Sequence, residues 1–593
     1  MALQNNIILK FFYLLKEAFG QYKWQIVLMA VLSFFSGILE GIGITAIIPV
    51  FSIMSGDKAS DAISRAIAKF FELTGFHYTV KYLLIFMAFL FMSKAALLFF
   101  SQYITVKITS DYEKDIRLNI FRLMLESKWP FLLRQKVGYL DQILTTDINA
   151  SSALLKHIST IILIAANLMV YSFLVINISF VIAILALALG GSVFLIFKPL
   201  FYKNRAASAE MVEQHKRLAH FVNESVTGMK SIKSLLAESG VLFRGLEYFD
   251  RMKNLRVRVN SLKNFTNAAL QPLAFFFVMG IFAFFYKTSA FNFASFAVIV
   301  YAVNRVFANI QFAQSEVHMI SSSIPHLLSI LSYQKETLKN KEVSRGDKKF
   351  IFNSGLEFRN VGFAYNEHRE ALSEVNLVLK KGEMLGLIGP SGAGKTTVVD
   401  LLLRLLEPER GEIMVDGVNA IDISPREWRI NIGYVSQDIF LINDTIANNI
   451  KFYDSAISDK DMMEAAKIAH IYDFIKEQPN GFNAVVGERG MQLSGGQRQR
   501  IVLARVLARH PKILILDEAT SALDNESEIL IQKAIESMKG KITVLAIAHR
   551  LSTVLRADKL LVLENGKIIE EGSPQTLLRD KKSYFYQAYN LRQ

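Results

Sequence analysis

The chain has 593 residues, long enough for more than one domain; 52% are hydrophobic and only 20% charged, a balance that points to a membrane protein. No cysteine occurs, which excludes disulfides, thiolate metal sites and a cysteine protease domain. The net charge of +14 comes from 67 basic against 53 acidic residues, and the excess falls beside apolar stretches. That placement reads as loops facing an anionic leaflet, with no nucleic-acid partner.

Residues 1–22 mix Phe11, Phe12, Leu14 and Leu15 with Lys10 and Lys16, and Lys23 follows. They are too charged for a signal peptide and lack a small-residue cleavage site, so the pattern predicts a helix lying in the cytoplasmic interface. Residues 23–332 hold six long apolar stretches, near 25–53, 82–107, 158–176, 178–199, 267–286 and 291–312. Each has about 20 residues or more, enough to cross a core of ~30 Å at ~1.5 Å per residue. The third and fourth are split by a turn near Asn177.

The loops at 108–157 and 200–264 are rich in Lys and Arg, whereas the opposite side has only a mixed-charge loop at 55–79, the Asn177 turn and a short link at Lys287. Both termini are therefore expected in the cytoplasm. The basic loops have few glycines or prolines and keep helical periodicity, for example Ile116, Ile120 and Leu123, then Val212, Leu218 and Val222. They read as membrane helices running on into the cytoplasm and returning, with breaks at Trp129–Arg134 and Ser234–Ser239. Loop 55–79 carries Ile63, Ile67, Phe70 and Phe71 at helical spacing, which fits a short helix on the outer membrane surface.

Three charged residues fall well inside apolar stretches, away from Lys107 and Lys198 at the ends of theirs. Glu40 and Lys94 lie midway along the first and second, and the spacing predicts that they pair. Arg305, in the sixth, has no acidic candidate at matching depth. Tyr301, Arg305 and Asn309 form a polar stripe at four-residue spacing, so Arg305 is expected to face a translocation cavity and attract an anionic head group.

Residues 333–350 are polar and read as a linker. From 351 to 593 short apolar strands alternate with helical stretches, the pattern of an α/β domain. Within it, Gly389-Pro-Ser-Gly-Ala-Gly-Lys-Thr-Thr397 fits the phosphate-cradling loop G-x-x-x-x-G-K-[ST]. Gly389, Gly392 and Gly394 let backbone N–H groups turn into one concavity, around Ser391, while the helix that follows adds its positive end. Lys395 is expected to reach the β- and γ-phosphates of ATP, and Thr396, followed by Thr397, to ligate Mg2+. Lys512-Ile-Leu-Ile-Leu516 is an apolar strand ending in Asp517 and Glu518, suited to hold Mg2+ and to act as general base. Between the two lies Leu493-Ser-Gly-Gly-Gln497, ahead of a strong helix former. Ser494, Gly495, Gly496 and Gln497 thus sit at another helix N-terminus, a second candidate anion site.

This combination resembles the ATP-binding cassette family over essentially the full length: an all-α six-helix transmembrane domain followed by an α/β P-loop nucleotide-binding domain, the layout of a half-size exporter. In that family the signature segment caps the ATP bound by the other subunit, so one phosphate loop and one signature imply a homodimer with two shared sites. The resemblance assigns Tyr365 to stacking on adenine, Gln437 to the region of Mg2+ and the attacking water, His549 to the γ-phosphate and Asp524 to the segment after the catalytic acid. It implies ATP hydrolysis coupled to transport, in a membrane expected to be the bacterial inner membrane. The Glu40-Gly-Ile-Gly-Ile segment, followed by Ile48-Pro-Val, is similar to bacterial flippases of lipid-linked saccharides or lipopolysaccharide precursors. A multidrug or peptide exporter is the alternative substrate class, and a nucleotide-gated channel or regulator the alternative function.

Overall fold

The computed structural model describes residues 18–55, 62–135, 137–178, 180–285, 293–343, 345–366, 369–518, 525–547 and 554–590. The chain divides into two units after Lys341.

The first unit is helical: α1 (Lys23–Thr45), α2 (Ile47–Ser55), α3 (Ala62–Thr74), α4 (Val80–Leu125), α5 (Trp129–Arg134), α6 (Val137–Gln142), α7 (Ile148–Ile178), α8 (Phe180–Thr227), α9 (Met229–Ser234), α10 (Glu238–Phe285) and α11 (Phe293–Lys339). A π-helical turn, Ile143–Asp147, leads into α7. Among the described residues, three helical runs are long and apolar enough to cross a membrane: Gly20–Phe51, Val80–Leu125 and Gly138–Phe173. The other three expected spans lie within α8, α10 and α11. Of the expected interfacial segment 1–22, only residues from 18 on are described; Phe19 and Tyr22 are buried, and Phe19 packs against Tyr112 with ring centroids 4.7 Å apart.

The break between α1 and α2 has a local cause. Pro49 has no N–H to offer, and its ring clashes with the carbonyl of Thr45, so the first helix ends there and restarts after Ala46. The expected helix in loop 55–79 is α3, whose Ile67 and Phe71 are buried with Leu83. The helices do run far past the apolar stretches; they turn back at α5, the first segment the sequence marks as a break, and around α9, which ends at Ser234 where the second expected break, Ser234–Ser239, begins.

Inside the bundle, polar pairs replace water. Ser33 and Ser101 share a hydrogen bond of 3.0 Å, and Thr105 and Ser159 one of 3.1 Å. The 333–350 linker starts later than its composition suggests, because α11 continues to Lys339. Tyr333 and Thr337, one turn apart, are fully buried, and the intervening Lys335 and Glu336 are good helix formers.

The second unit carries two sheets. An antiparallel one has the order β2-β1-β4-β5, built from β1 (Gly355–Asn366), β2 (Arg369–Lys380), β4 (Arg410–Val415) and β5 (Val418–Asn419). The larger one has the order β10-β9-β3-β8-β7-β6, from β3 (Met384–Ile388), β6 (Ile432–Val435), β7 (Ile513–Asp517), β8 (Thr543–Ile547), β9 (Lys559–Glu564) and β10 (Lys567–Gly572). Strand β3 runs parallel to β8 and β9, and β7 parallel to β6 and β8. Strands β3, β7 and β8 are buried at every residue, which is why they read as continuous apolar runs. Helices α12 (Lys395–Leu402) and α13 (Gly495–Leu507) follow the two glycine-containing motifs.

Candidate functional site

Parallel pairing makes one edge of the sheet into a site. Strands β3, β6, β7 and β8 all point their carboxyl ends the same way, so whatever follows each of them gathers at that edge. After β3 comes Gly389, after β6 Gln437, and at the end of β7 Asp517 and Glu518. His549 follows β8, but it and Asp524 lie outside the described residues.

The phosphate loop needs its glycines. Gly389 has φ +152°, and an added Cβ would lie 2.0 Å from the Leu563 carbonyl oxygen; Gly394 has φ +109° and would place one 2.7 Å from that of Ala371. A Cβ on Gly392 would meet nothing within 4 Å, so the loop is open there. The Lys395 ammonium donates to the carbonyls of Gly389 (2.9 Å) and Pro390 (3.0 Å), curling back over the loop. Burial lowers its pKa, while Glu518 and Asp517 act in the opposite sense. Ser391 and Thr396 are exposed; Thr397 is buried, its hydroxyl 3.3 Å from that of Tyr365. The Tyr365 ring is 45% exposed and stands edge-on to Phe363, leaving a free aromatic face beside the loop.

Opposite the lysine, Gln437 Nε2 donates to Glu518 Oε2 at 2.6 Å. Glu518 has φ +49°, and its N–H donates to the Ile547 carbonyl at 2.9 Å, tying β7 to β8 where both strands end. Tyr434 was not anticipated from the sequence. Its hydroxyl donates to Asp517 Oδ2 at 3.2 Å, and burial together with that carboxylate raises its pKa. In the β6–β7 register Tyr434 faces Ile515, which shares a strand face with Asp517; the signal lies in the pairing, not in the residue type. Asp400, on α12, is pushed up to about 6 by burial and by Asp517.

Such residues fit a magnesium nucleotide: a glycine cradle at a helix N-terminus, one lysine, a hydroxyl at Thr396 and a carboxylate at Asp517. At the second motif, Ser494 caps α13. Its Oγ accepts from Gln497 N–H (3.2 Å) and Gln497 Oε1 accepts from Ser494 N–H (2.8 Å), a complete capping box. Gly495 and Gly496 lie in the first turn, where N–H groups have no intrahelical acceptor.

In the helical unit, Lys94 Nζ lies 2.9 Å from Glu40 Oε2, the pairing expected for these two. Arg305 differs from expectation. Its Nη2 lies 3.8 Å from Glu40 Oε1, and its Nε donates to the Tyr301 hydroxyl at 2.8 Å, so one carboxylate serves two cations. Depth read along the helices ignored the reach of the arginine side chain. Asn309 also leaves the expected stripe: it is buried, whereas Tyr301 and Arg305 are exposed. Eight residues make about 2.2 turns, which rotates the third member ~80° away from the first.

Comparison with known proteins agrees with this arrangement. The family description "ABC transporter transmembrane region" matches residues 26–310 and "ABC transporter" residues 372–521. The ATP-dependent lipid A-core flippase of Burkholderia pseudomallei is 33% identical over 530 residues, covering 83% of each chain. The heterocyst differentiation ATP-binding protein HepA of a Nostoc species is 30% identical over 78% of this chain and 76% of its own. A solved bacterial Atm1-family ABC exporter with ATP bound has the same fold, with a TM-score of 0.78 over 97% of this chain and 99% of its own at 24% identity. The chain belongs to the ABC transporter family, with transmembrane and ATP-binding domains fused. It is an integral membrane protein whose ATP hydrolysis is coupled to transport.

Proposed function

We propose that the protein is a homodimeric exporter that flips an anionic, lipid-linked amphiphile across the bacterial inner membrane, with its ATP-binding domain in the cytoplasm. Two MgATP sites are shared between subunits. In each, Lys395, Thr396 and the loop glycines hold the phosphates, Tyr365 the adenine, and Asp517 and Gln437 the metal. Glu518 takes the proton of the attacking water, and Ser494 and its glycines close the partner's site. His549 and Asp524 act at the γ-phosphate and at the seam between the two sites.

The observation that supports this substrate class is the Glu40–Lys94–Arg305 cluster. Two cations share one carboxylate, leaving a net positive charge, and the Arg305 side chain is 47% exposed in the single chain. An unneutralised cation at this depth costs several kcal/mol unless a wet cavity or an anion offsets it. The flippase names carried by relatives at 33% identity point the same way.

The test is Arg305→Ala in reconstituted vesicles, with ATP hydrolysis and flipping of an anionic lipid measured together. Basal hydrolysis survives and flipping falls at least tenfold. Unchanged flipping removes Arg305 from the substrate path.

A further inference from the structure

A cleft of about 1100 Å³ opens between the returning ends of the helical extensions, bounded by the end of α5, by α6, α8 and α9, and by the start of α10. Its depth separates it from the lipid. Glu213 to Ser225 on α8 lie 14 to 26 residues past the apolar stretch ending near 199, about 20–40 Å by helix rise. Arg244 and Tyr248 on α10 precede the stretch that begins near 267 by about 30 Å on the same measure. The cleft is therefore out of reach of head groups and faces the aqueous phase.

Its charges do not balance. Of the two acidic residues on its wall, Glu213 is paired with Arg217 at 3.4 Å, and Glu224 lies 3.3 Å from His220, an ion pair only when that imidazole is protonated. With a neutral His220, the four cations Arg134, Lys216, Arg217 and Arg244 face two carboxylates, and Arg134, Lys216 and Arg244 stand outside the Glu213–Arg217 pair. Arg134 and Arg244 are exposed and have no ion pair or hydrogen bond among the described residues. Lys216 is fixed in place, donating to Ser329 Oγ at 3.1 Å with its ammonium 4.3 Å from the Tyr139 ring centre. Burial lowers its pKa while Asp147 and Glu213 act in the opposite sense, and a phosphate nearby would favour its charged form further. On the same wall Phe221 and Tyr248 stack with centroids 5.1 Å apart and planes 28° from parallel, a flat apolar surface beside the cations.

We propose that this cleft binds a small water-soluble phosphate-bearing anion of the sugar-bisphosphate class. Arg134, Lys216 and Arg244 supply the phosphate contacts, and the Phe221–Tyr248 face takes the carbon skeleton. Arginine forks match phosphate oxygens, and three cations suit a ligand carrying two phosphates better than one carrying a single charge. The site shares no residue with the ATP site or with the Glu40–Lys94–Arg305 cluster, and it does not depend on the substrate proposed above.

The experiment is calorimetric titration of the full-length protein in nanodiscs with fructose 1,6-bisphosphate, in saturating non-hydrolysable ATP analogue so that the phosphate loop is occupied. Wild type binds, glucose gives no signal, and Arg134→Ala/Arg244→Ala weakens binding at least tenfold while basal ATP hydrolysis stays at the wild-type rate. Should the double variant fail to assemble, Arg244→Glu alone, at an exposed helix position, carries the same expectation. No binding by wild type, equal binding by the variant, or equally tight binding of citrate overturns the proposal.

Discussion

Glu518 is held in a conformation that most residues avoid. Its φ of +49° is left-handed, and it is fixed by the N–H bond to Ile547 and by the Gln437 amide on its carboxylate. Side chain and backbone are thus both held by the protein's own groups. Glu518→Gln keeps the shape and one side-chain oxygen to accept from the Gln437 amide while removing charge and basicity. We expect ATP to bind as in wild type and turnover to fall by at least ~10²-fold, the loss usual for a general base; turnover near wild type would take Glu518 out of the reaction. At this scale the sequence was most informative where a motif fixes backbone and chemistry together, as in Gly389 to Thr396 and in Asp517–Glu518. Tyr434 and the second partner of Glu40 were not legible. Each depends on which strands or helices lie side by side, and neither local spacing nor residue type carries that.

Among the elements, the β4–β5 hairpin shows how a short sequence ties the ATP-binding unit together. Asp416 and Gly417 have φ of +47° and +81°, the two positive values of a tight type I′ turn. The Asp416 carboxylate accepts from the N–H groups of Asn353 (2.5 Å), Ser354 (2.8 Å) and Gly355 (2.9 Å), pinning the start of β1. Partial burial opposes ionisation, but the three donors outweigh it and hold the carboxyl below its ordinary range. A depressed folded pKa gives stability that is present above the unfolded value of about 3.9 and is lost as pH falls through the folded value. Asp416→Asn tolerates the turn yet removes the charge. It should cost about 1 kcal/mol at pH 7, seen as an earlier calorimetric transition of the ATP-binding unit in the whole protein. The gap should close below about pH 4; a gap constant with pH would exclude a role for the charge. Helix existence was legible from periodicity and Gly/Pro scarcity, as were the turn at α5 and the break after α9; the short helix Met229–Ser234 itself was not. The end of α11 was not, because its polar residues share a helix with buried Tyr333 and Thr337.

The proposed whole molecule pairs two such chains. The capping box at Ser494 satisfies the Gln497 N–H but leaves those of Gly495 and Gly496 with no intrahelical acceptor, which suits a phosphate delivered by another chain. Lys395→Ala and Ser494→Ala should each be inactive as homodimers. In a mixed dimer one site collects both defects and the other has none, so hydrolysis should return on mixing; its failure to return argues for sites contained in one subunit. Coupling of that hydrolysis to transport is the central claim, and the most direct measurement is ATP-dependent movement of a labelled anionic lipid between leaflets of vesicles holding only this protein. Movement should require MgATP and stop with Glu518→Gln. Movement that continues at the same rate without hydrolysis would contradict the account.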